Sequence, residues 1–283
     1  MIPAALDYVR AKNLNDAFKA LAGKDTKAIA GGHSLIPMLK LRLAQPAKLV
    51  DIAGLKELRG IQVEKGGVRI GAATTYRELL DSNTIKSRLP IVHEVVRSVG
   101  DVQVRNRGTI GGALAHADPA SDVTALMLAL DATFNLRGKT GKRSVKAREF
   151  FKGAFETAMK KNELLIDIAV PALPKATGSA YVSFEQPASG YPMVGAAAVV
   201  SVKDGVITAC RLAFTGVSDC AFLADADHLI GTKGPNDAIG QIVRSALADR
   251  EVNNDIHCSA EYRRHLATVA AQRVIKEAME RGK

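Results

Sequence analysis

The 283-residue sequence contains no tryptophan, and aromatic residues make up only 5% of it. Proteins that bind nucleic acid by stacking combine a basic face with interleaved aromatic side chains. Here the Lys and Arg residues behind the net charge of +10 are spread along the chain. The charge therefore indicates a solvated basic surface, or one complementary to an acidic cofactor or partner subunit, and nucleic acid is not expected as a partner.

Long apolar runs are also missing. None approaches the ~20 residues that a transmembrane helix requires. The first residues, Met1-Ile2-Pro3-Ala4, do not show the basic stretch followed by an apolar stretch that is typical of a secretory signal. We therefore expect no membrane span and a cytoplasmic location.

Cysteine is scarce, and its three positions, Cys210, Cys220 and Cys258, form no C-x-x-C pair. This spacing argues against an iron–sulfur cluster or a structural zinc site on this chain and favours reduced thiols. His116 and Asp118 could be two metal ligands, but two are too few for a site. We expect no metal site, and no residue stands out as an acid–base catalyst.

Two common nucleotide-binding motifs are absent. No G-x-G-x-x-G follows a strand, and Gly138-Lys139-Thr140 lacks the upstream glycine of a P-loop. Two double-glycine segments are present instead, Ala30–Ser34 and Thr109–Ala113. Glycine reaches φ > 0 and lets a ligand approach the backbone, and a helix beginning after Ser34 would offer free N–H groups to an anion. Two such loops can hold one extended, phosphate-bearing cofactor, although each could also be a plain strand-to-helix turn.

The pattern of apolar residues predicts an α+β protein with two domains. Residues 1–55 alternate strands and helices as a small α/β subdomain does, and residues 56–176 combine a hairpin, several helices and further strands. The Pro-rich stretch 171–178 is typical of a linker. Residues 177–283 then contain two strands joined by an Asp-Gly turn, followed by helices.

Three segments together resemble one known family. They are Ala30 to Lys40, Gly100 to Gly112 with Asp118-Pro119-Ala120-Ser121-Asp122 after it, and Gly190-Tyr191-Pro192-Met193-Val194-Gly195. In these runs the chain resembles the FAD-binding medium subunit of the molybdenum hydroxylases, of the aerobic carbon monoxide dehydrogenase and xanthine dehydrogenase type. The similarity extends over essentially the whole chain.

The resemblance implies a fold and a role. The fold is a two-subdomain FAD-binding domain of the vanillyl-alcohol-oxidase-like, PCMH type (1–176), followed by a small C-terminal domain with an antiparallel sheet and helices (177–283). The role is electron transfer from two [2Fe-2S] clusters on a small subunit, through FAD on this chain, to an external acceptor. A large subunit would carry the molybdopterin, and the complex would be a dimer of heterotrimers.

The resemblance also implies cofactor-binding residues. The first loop, comprising Ala30, Gly31, Gly32, His33, Ser34 and Leu35, should wrap the pyrophosphate. The second loop, comprising Thr109, Ile110, Gly111, Gly112 and Ala113, should line the pyrophosphate and ribityl side. Asp122 should accept hydrogen bonds from cofactor hydroxyls or from the supporting loop, Leu165 should pack on the adenine or ring region, and Tyr191 should lie beside the isoalloxazine.

Other roles remain open for four of these residues. Asp122 could be a helix cap, Leu165 a core residue, Tyr191 a packed turn aromatic, and His33 structural. The chain also departs from the family, since Ser183 and Glu185 occupy a stretch that often carries a basic residue. This leaves the redox tuning, the electron acceptor and the substrate open. A self-sufficient small flavin oxidase and a flavin-free structural subunit are the alternative functions.

Overall fold

A computed structural model describes residues 2–235 and 238–283. Three larger sheets organise this part of the chain, which also contains a two-stranded sheet over 151–157. The first sheet has three parallel strands in the order β1-β3-β2. Helix α1 buries Leu14, Phe18 and Leu21 on one face, and Asn13 caps it by accepting a hydrogen bond from the Asp16 amide (2.9 Å). The elements of this subdomain are β1 (Asp7–Arg10), α1 (Leu14–Leu21), β2 (Thr26–Ile29), α2 (Leu35–Lys40) and β3 (Lys48–Asp51).

The second region is built on a five-stranded antiparallel sheet in the order β4-β5-β10-β6-β7. Thr75 and Glu78 form a capping box that begins α3 directly after the β5 strand. The elements are β4 (Ile61–Glu64), β5 (Gly67–Gly71), α3 (Tyr76–Asp81), α4 (Asn83–Arg88), α5 (Pro90–Ser98), α6 (Val102–Arg107), α7 (Ile110–His116), α8 (Asp122–Ala129), β6 (Thr133–Gly138), β7 (Gly141–Lys146), α9 (Ala147–Phe150), β8 (Phe151–Gly153), β9 (Glu156–Thr157) and β10 (Leu164–Pro171).

The third region is a four-stranded antiparallel sheet, β11-β12-β13-β14, with a long helix packed on it. The Asp-Gly hairpin predicted between two strands is confirmed, because Asp204 and Gly205 both have positive φ (51° and 78°) and join β12 to β13. The elements are β11 (Thr177–Glu185), β12 (Pro192–Lys203), β13 (Val206–Thr215), β14 (Phe222–Ala224), α10 (Ala238–Ala246) and α11 (Ala260–Arg281).

Helix α8 joins the second and third regions. Every one of its residues is buried, as expected of a helix that is apolar on all sides. It packs against α5 and α7 on one side and against strands β12 and β13 on the other. Arg211 on β13 donates a hydrogen bond from Nε to the Ala129 carbonyl at the end of α8 (2.7 Å). The C-terminal sheet is therefore in direct contact with α8. Within the described ranges, no helix is long and apolar enough to cross a membrane.

Candidate cofactor-binding site

A cavity of about 610 Å3 lies where the three regions meet. This volume is within the roughly 300–1,000 Å3 of pockets that hold small molecules and cofactors. Residues from both double-glycine loops line it, together with Leu165 of β10 and Tyr191 of the C-terminal region. Of the fourteen residues proposed from the sequence, all except Ile110 lie on its wall.

The first loop lines this cavity and has unused backbone donors. The amides of residues 31–35 donate no hydrogen bond to any atom of residues 2–235 or 238–283. Gly32 turns the chain with φ of 82°, and its carbonyl accepts the first hydrogen bond of α2 from the Ile36 amide (2.9 Å). A row of free N–H groups at the start of a helix is suited to an anionic group such as a phosphate.

Ser34 does not act as the side-chain cap that its position suggests. It precedes α2, but it already has helical backbone angles (φ −90°, ψ −46°), and its hydroxyl makes no capping hydrogen bond. The helix also ends at Lys40, earlier than its apolar pattern suggests, because Arg42 takes a left-handed conformation (φ 58°). Ser34 and the exposed His33 both line the cavity.

The second loop has the opposite character, since the backbone donors of residues 110–113 are already used. Ile110 donates to the Thr74 carbonyl (3.1 Å) and Gly111 to the Ala72 carbonyl (2.9 Å). Thr109 caps α7 by accepting at Oγ1 from the Gly112 amide (3.1 Å). The Ile110 side chain is fully buried in the hydrophobic core, so it cannot contact a ligand in the cavity.

The two loops touch each other through Gly31. A Cβ at this position would lie 2.4 Å from the Arg107 carbonyl oxygen and 3.0 Å from the Gly108 Cα. Gly111 is confined in the same way, because its Cβ would lie 2.4 Å from the Cβ of Ala72. Contacts within the chain thus require glycine at both positions. The close approach of a ligand, for which the sequence suggested these glycines, is not needed to explain them.

Asp122 is a buried carboxylate on the cavity wall, 8% exposed. It is the first residue of α8, and Ser121 at the N-cap position makes no side-chain cap, so the cap role considered for Asp122 is not what the structure shows. The Tyr181 hydroxyl donates a hydrogen bond to Asp122 Oδ1 (2.7 Å). Burial raises the pKa of this carboxyl to about 6, although the Tyr181 hydrogen bond acts in the opposite direction.

Leu165 and Tyr191 approach the cavity from different directions. Leu165 is 4% exposed and belongs to the hydrophobic core as well as to the cavity wall. Tyr191 is 49% exposed and follows Gly190, whose φ of 72° turns the connection between β11 and β12. Partial burial and the carboxylates of Asp118 and Asp122 raise the pKa of the Tyr191 hydroxyl. This aromatic ring therefore stands at the edge of the site, accessible from solvent.

Several aromatic and apolar residues on the wall were not predicted from the sequence, including Tyr76, Phe155 and Met159. Tyr76 could have been predicted from the sequence. Thr75, followed by Glu78 three residues later, is a pattern typical of a helix start, and Tyr76 is the first residue of that helix. Phe155 carries no sequence signal. Its left-handed backbone (φ 58°) and its ring contact with His116 (4.9 Å between centroids) are visible only in the structure.

The polar groups near Tyr191 are acidic rather than basic. Ser183 donates a hydrogen bond to Glu185 (3.2 Å), and the charge of Glu185 helps to raise the pKa of Asp122. His116 and Asp118 share the cavity wall. No group of three or more His, Cys, Asp or Glu residues suited to a metal ion occurs in the described part of the chain.

The comparisons with known proteins agree with this architecture. The family model for the FAD-binding domain in molybdopterin dehydrogenase matches residues 4–173. The family model for the CO dehydrogenase flavoprotein C-terminal domain matches residues 179–278. The glyceraldehyde dehydrogenase medium chain of Sulfolobus acidocaldarius is 40% identical over 280 residues, which cover 98% of this chain and 99% of the relative. The carbon monoxide dehydrogenase medium chain of Hydrogenophaga pseudoflava is 37% identical, with 99% of each chain covered.

A solved structure shows the same fold. A chain of the reconstituted CO dehydrogenase from Oligotropha carboxidovorans superposes with a TM-score of 0.95 at 37% identity, and the match covers 99% of this chain and 100% of that one.

Proposed function

Because the chain belongs to the family of FAD-binding subunits of molybdopterin dehydrogenases, we propose that the cavity between its three regions holds the FAD. The chain is thus an electron-transferring flavoprotein component of an oxidoreductase complex. When bound, FAD supplies the redox chemistry, and the protein supplies binding, orientation and electrostatics. The observation that carries the placement is the row of free amides at residues 31–35, all of which line the cavity.

The residues on the wall suit the parts of FAD. The amides of the first loop, with the Ser34 hydroxyl beside them, would hold the pyrophosphate. Thr109, Gly112 and Ala113 would border the ribityl chain, and the amides of Gly112 and Ala113 are already bonded within the chain. Asp122 would accept a cofactor hydroxyl. The apolar side chain of Leu165 and the ring of Tyr191 would pack on the isoalloxazine, and Tyr191 would limit access of an acceptor to it.

The two relatives described above are medium chains of dehydrogenases. We propose that this chain assembles with a large molybdopterin subunit and a small subunit that carries two [2Fe-2S] clusters, as a dimer of heterotrimers. The three cysteines of this chain are unpaired, and Cys220 and Cys258 are buried in hydrophobic surroundings. Their state supports iron–sulfur ligands on another chain and a reducing, cytoplasmic compartment.

The substrate of the complex would be determined by the large subunit. The relatives named above act on glyceraldehyde and on carbon monoxide, although their medium chains are similar to this one to nearly the same extent. This chain would instead influence the electron acceptor. The carboxylate of Glu185 would disfavour additional negative charge near the flavin, in a stretch where the family often has a basic residue.

Ligand selectivity tests the placement of FAD. The purified chain, stripped of flavin, is titrated with FAD, FMN and riboflavin, and binding is followed by quenching of flavin fluorescence. We expect one FAD per chain and at least tenfold weaker binding of FMN and riboflavin. Each hydrogen bond from an amide to a charged phosphate group that is lost costs about 1.5–3 kcal/mol of binding free energy. Equal affinity for the three ligands would contradict the role of the amide row.

The same preparation separates the two alternative functions. A flavin-free structural subunit would bind none of the three ligands. A self-sufficient oxidase would oxidise an organic substrate without partner subunits, at rates of about 1–10³ per second that are typical of complete enzymes. We expect neither. The isolated holoprotein should pass electrons only between artificial donors and acceptors.

A further inference from the structure

The C-terminal region holds one wall of the cavity in place. Thr215 of β13 donates a hydrogen bond from Oγ1 to the Pro119 carbonyl (2.7 Å) and lies 3.0 Å from the Ser121 carbonyl. The Gly216 amide donates to the same Pro119 carbonyl (2.7 Å). The turn that leads into Asp122 is therefore fixed by a sheet that lies almost one hundred residues away in sequence.

Arg263 of α11 also supports the contact between the C-terminal sheet and the turn before Asp122. Its guanidinium is 4% exposed and donates to the carbonyls of Met193 and Gly216 (2.9 Å to the latter), and it pairs with Asp255. A buried guanidinium with several partners restricts the movement of the chain segments that it joins. The hairpin that carries Tyr191 and the turn that carries Asp122 are thereby held in a constant relation to each other.

The contact that reaches Asp122 itself comes from Tyr181 on β11. The two residues are 59 positions apart, both are buried, and the phenol oxygen lies 2.7 Å from Asp122 Oδ1. Among the residues that the structure describes, Tyr181 is the one side chain that donates to this carboxylate. Gly195 provides the space for the phenol, because a Cβ there would lie 2.3 Å from the Tyr181 hydroxyl oxygen.

We infer that Tyr181 is a positioning residue, which orients the Asp122 carboxylate from the C-terminal domain so that its second oxygen is available to a cofactor hydroxyl. The inference rests on the proposed FAD site. The fixed carboxylate lies on the cavity wall, whereas the Tyr181 hydroxyl is directed at Oδ1 and is not itself among the residues of that wall. The C-terminal domain, which also contributes Tyr191 to the wall, would thus orient the Asp122 carboxylate through one hydroxyl.

The protonation state of Asp122 provides the test. The groups that act on Asp122 electrostatically are Tyr181, Glu185, Tyr76 and Tyr191. The Tyr181 hydrogen bond favours the ionised carboxylate, so its removal moves the pKa upward from about 6. FAD affinity of the wild-type chain should rise with pH through that value. In Tyr181→Phe the inflection should lie at higher pH, and FAD should bind roughly tenfold more weakly near pH 7, as expected for loss of a hydrogen bond to a charged group.

Two further variants make the result specific. Gly195→Ala should displace the same hydroxyl and move the inflection in the same direction, so it replaces Tyr181→Phe if that variant does not fold. Tyr8→Phe is the matched control, because it deletes another phenol that donates to a carboxylate (Tyr8 to Asp51, 2.5 Å), at an exposed site away from the cavity. It should leave both the affinity and the inflection unchanged.

The outcomes distinguish the FAD site from the positioning role of Tyr181. If the wild-type chain binds no FAD, the proposed function fails. If the wild-type chain binds FAD but folded Tyr181→Phe keeps the wild-type affinity and inflection, the positioning role of Tyr181 is wrong while the FAD site stands. A melting temperature lowered in Tyr181→Phe with no change in the pH profile would also overturn it, since a merely structural hydrogen bond gives that result.

Discussion

The two double-glycine loops look alike in sequence but differ in what their backbones do. In the first loop, the amides of residues 31–35 have no partner within the described residues, and these residues line the cavity. In the second, the amides of residues 110–113 are all bonded to neighbouring backbone or to Thr109. Free donors suit a ligand, whereas bonded donors stabilise a junction. A glycine pair therefore does not by itself identify a phosphate site, and the partners of its amides decide.

The strongest test of this difference is Gly32→Val in the first loop. A β-branched residue is poorly tolerated at φ of 82°, and its Cβ would lie 2.7 Å from Ile36. We expect FAD binding at least a hundredfold weaker, about 2.7 kcal/mol, while the fold survives. Flavin content is measured beside far-UV circular dichroism. Full flavin occupancy in folded Gly32→Val would remove the first loop from the site.

Gly111→Ala examines the second loop. The added methyl group would lie 2.4 Å from the Cβ of Ala72 and 2.6 Å from its carbonyl oxygen. Overpacking of this kind costs about 1–3 kcal/mol. The flavin-free chain should therefore unfold at lower urea concentration, since the glycine is needed by the fold rather than by the ligand. An unchanged urea midpoint without flavin, combined with loss of FAD binding, would reverse the comparison.

Thr109→Ala and Ser34→Ala form a matched pair of hydroxyl deletions. Thr109 caps α7, so its replacement should cost about 1 kcal/mol of stability in the flavin-free chain. Ser34 caps nothing, so its replacement should leave that stability within ~0.5 kcal/mol of the wild-type value and weaken FAD binding only. Equal loss of stability in both variants would show that the first loop is also a structural junction.

Tyr191→Ala gives the smallest expected effect and is the reference outside both loops. Stacking of an aromatic ring contributes about 0.5–1.5 kcal/mol, so FAD affinity should fall tenfold at most. The flavin spectrum, its reduction potential or its reoxidation by oxygen should change more clearly, because Tyr191 is half exposed at the cavity edge. A lower melting temperature with an unchanged flavin would show that Tyr191 is only a packed turn residue.

Much of the fold follows from local patterns. The Asp-Gly hairpin at 204–205 lies where the sequence predicted it, and the helix over Leu14–Leu21 has the apolar spacing of Leu14, Phe18 and Leu21 that indicates a helix. Each depends on a few neighbouring residues and their periodicity. The three family-like segments also predicted the architecture and the FAD chemistry correctly. The boundary near residue 176 stays a prediction, and the extensive packing of α8 on the C-terminal sheet shows that the two domains share a core.

By itself, then, the sequence determined the class of protein and the cofactor, and thirteen of the fourteen site residues proposed from it line the cavity. Only the tertiary structure decided which loop keeps free amides, that the Ile110 side chain is directed into the core, and that Tyr181 holds Asp122. The physical reason is the same in each case. A hydrogen bond or a close contact depends on where two segments that are distant in sequence come together, and a local pattern of residues does not determine that position.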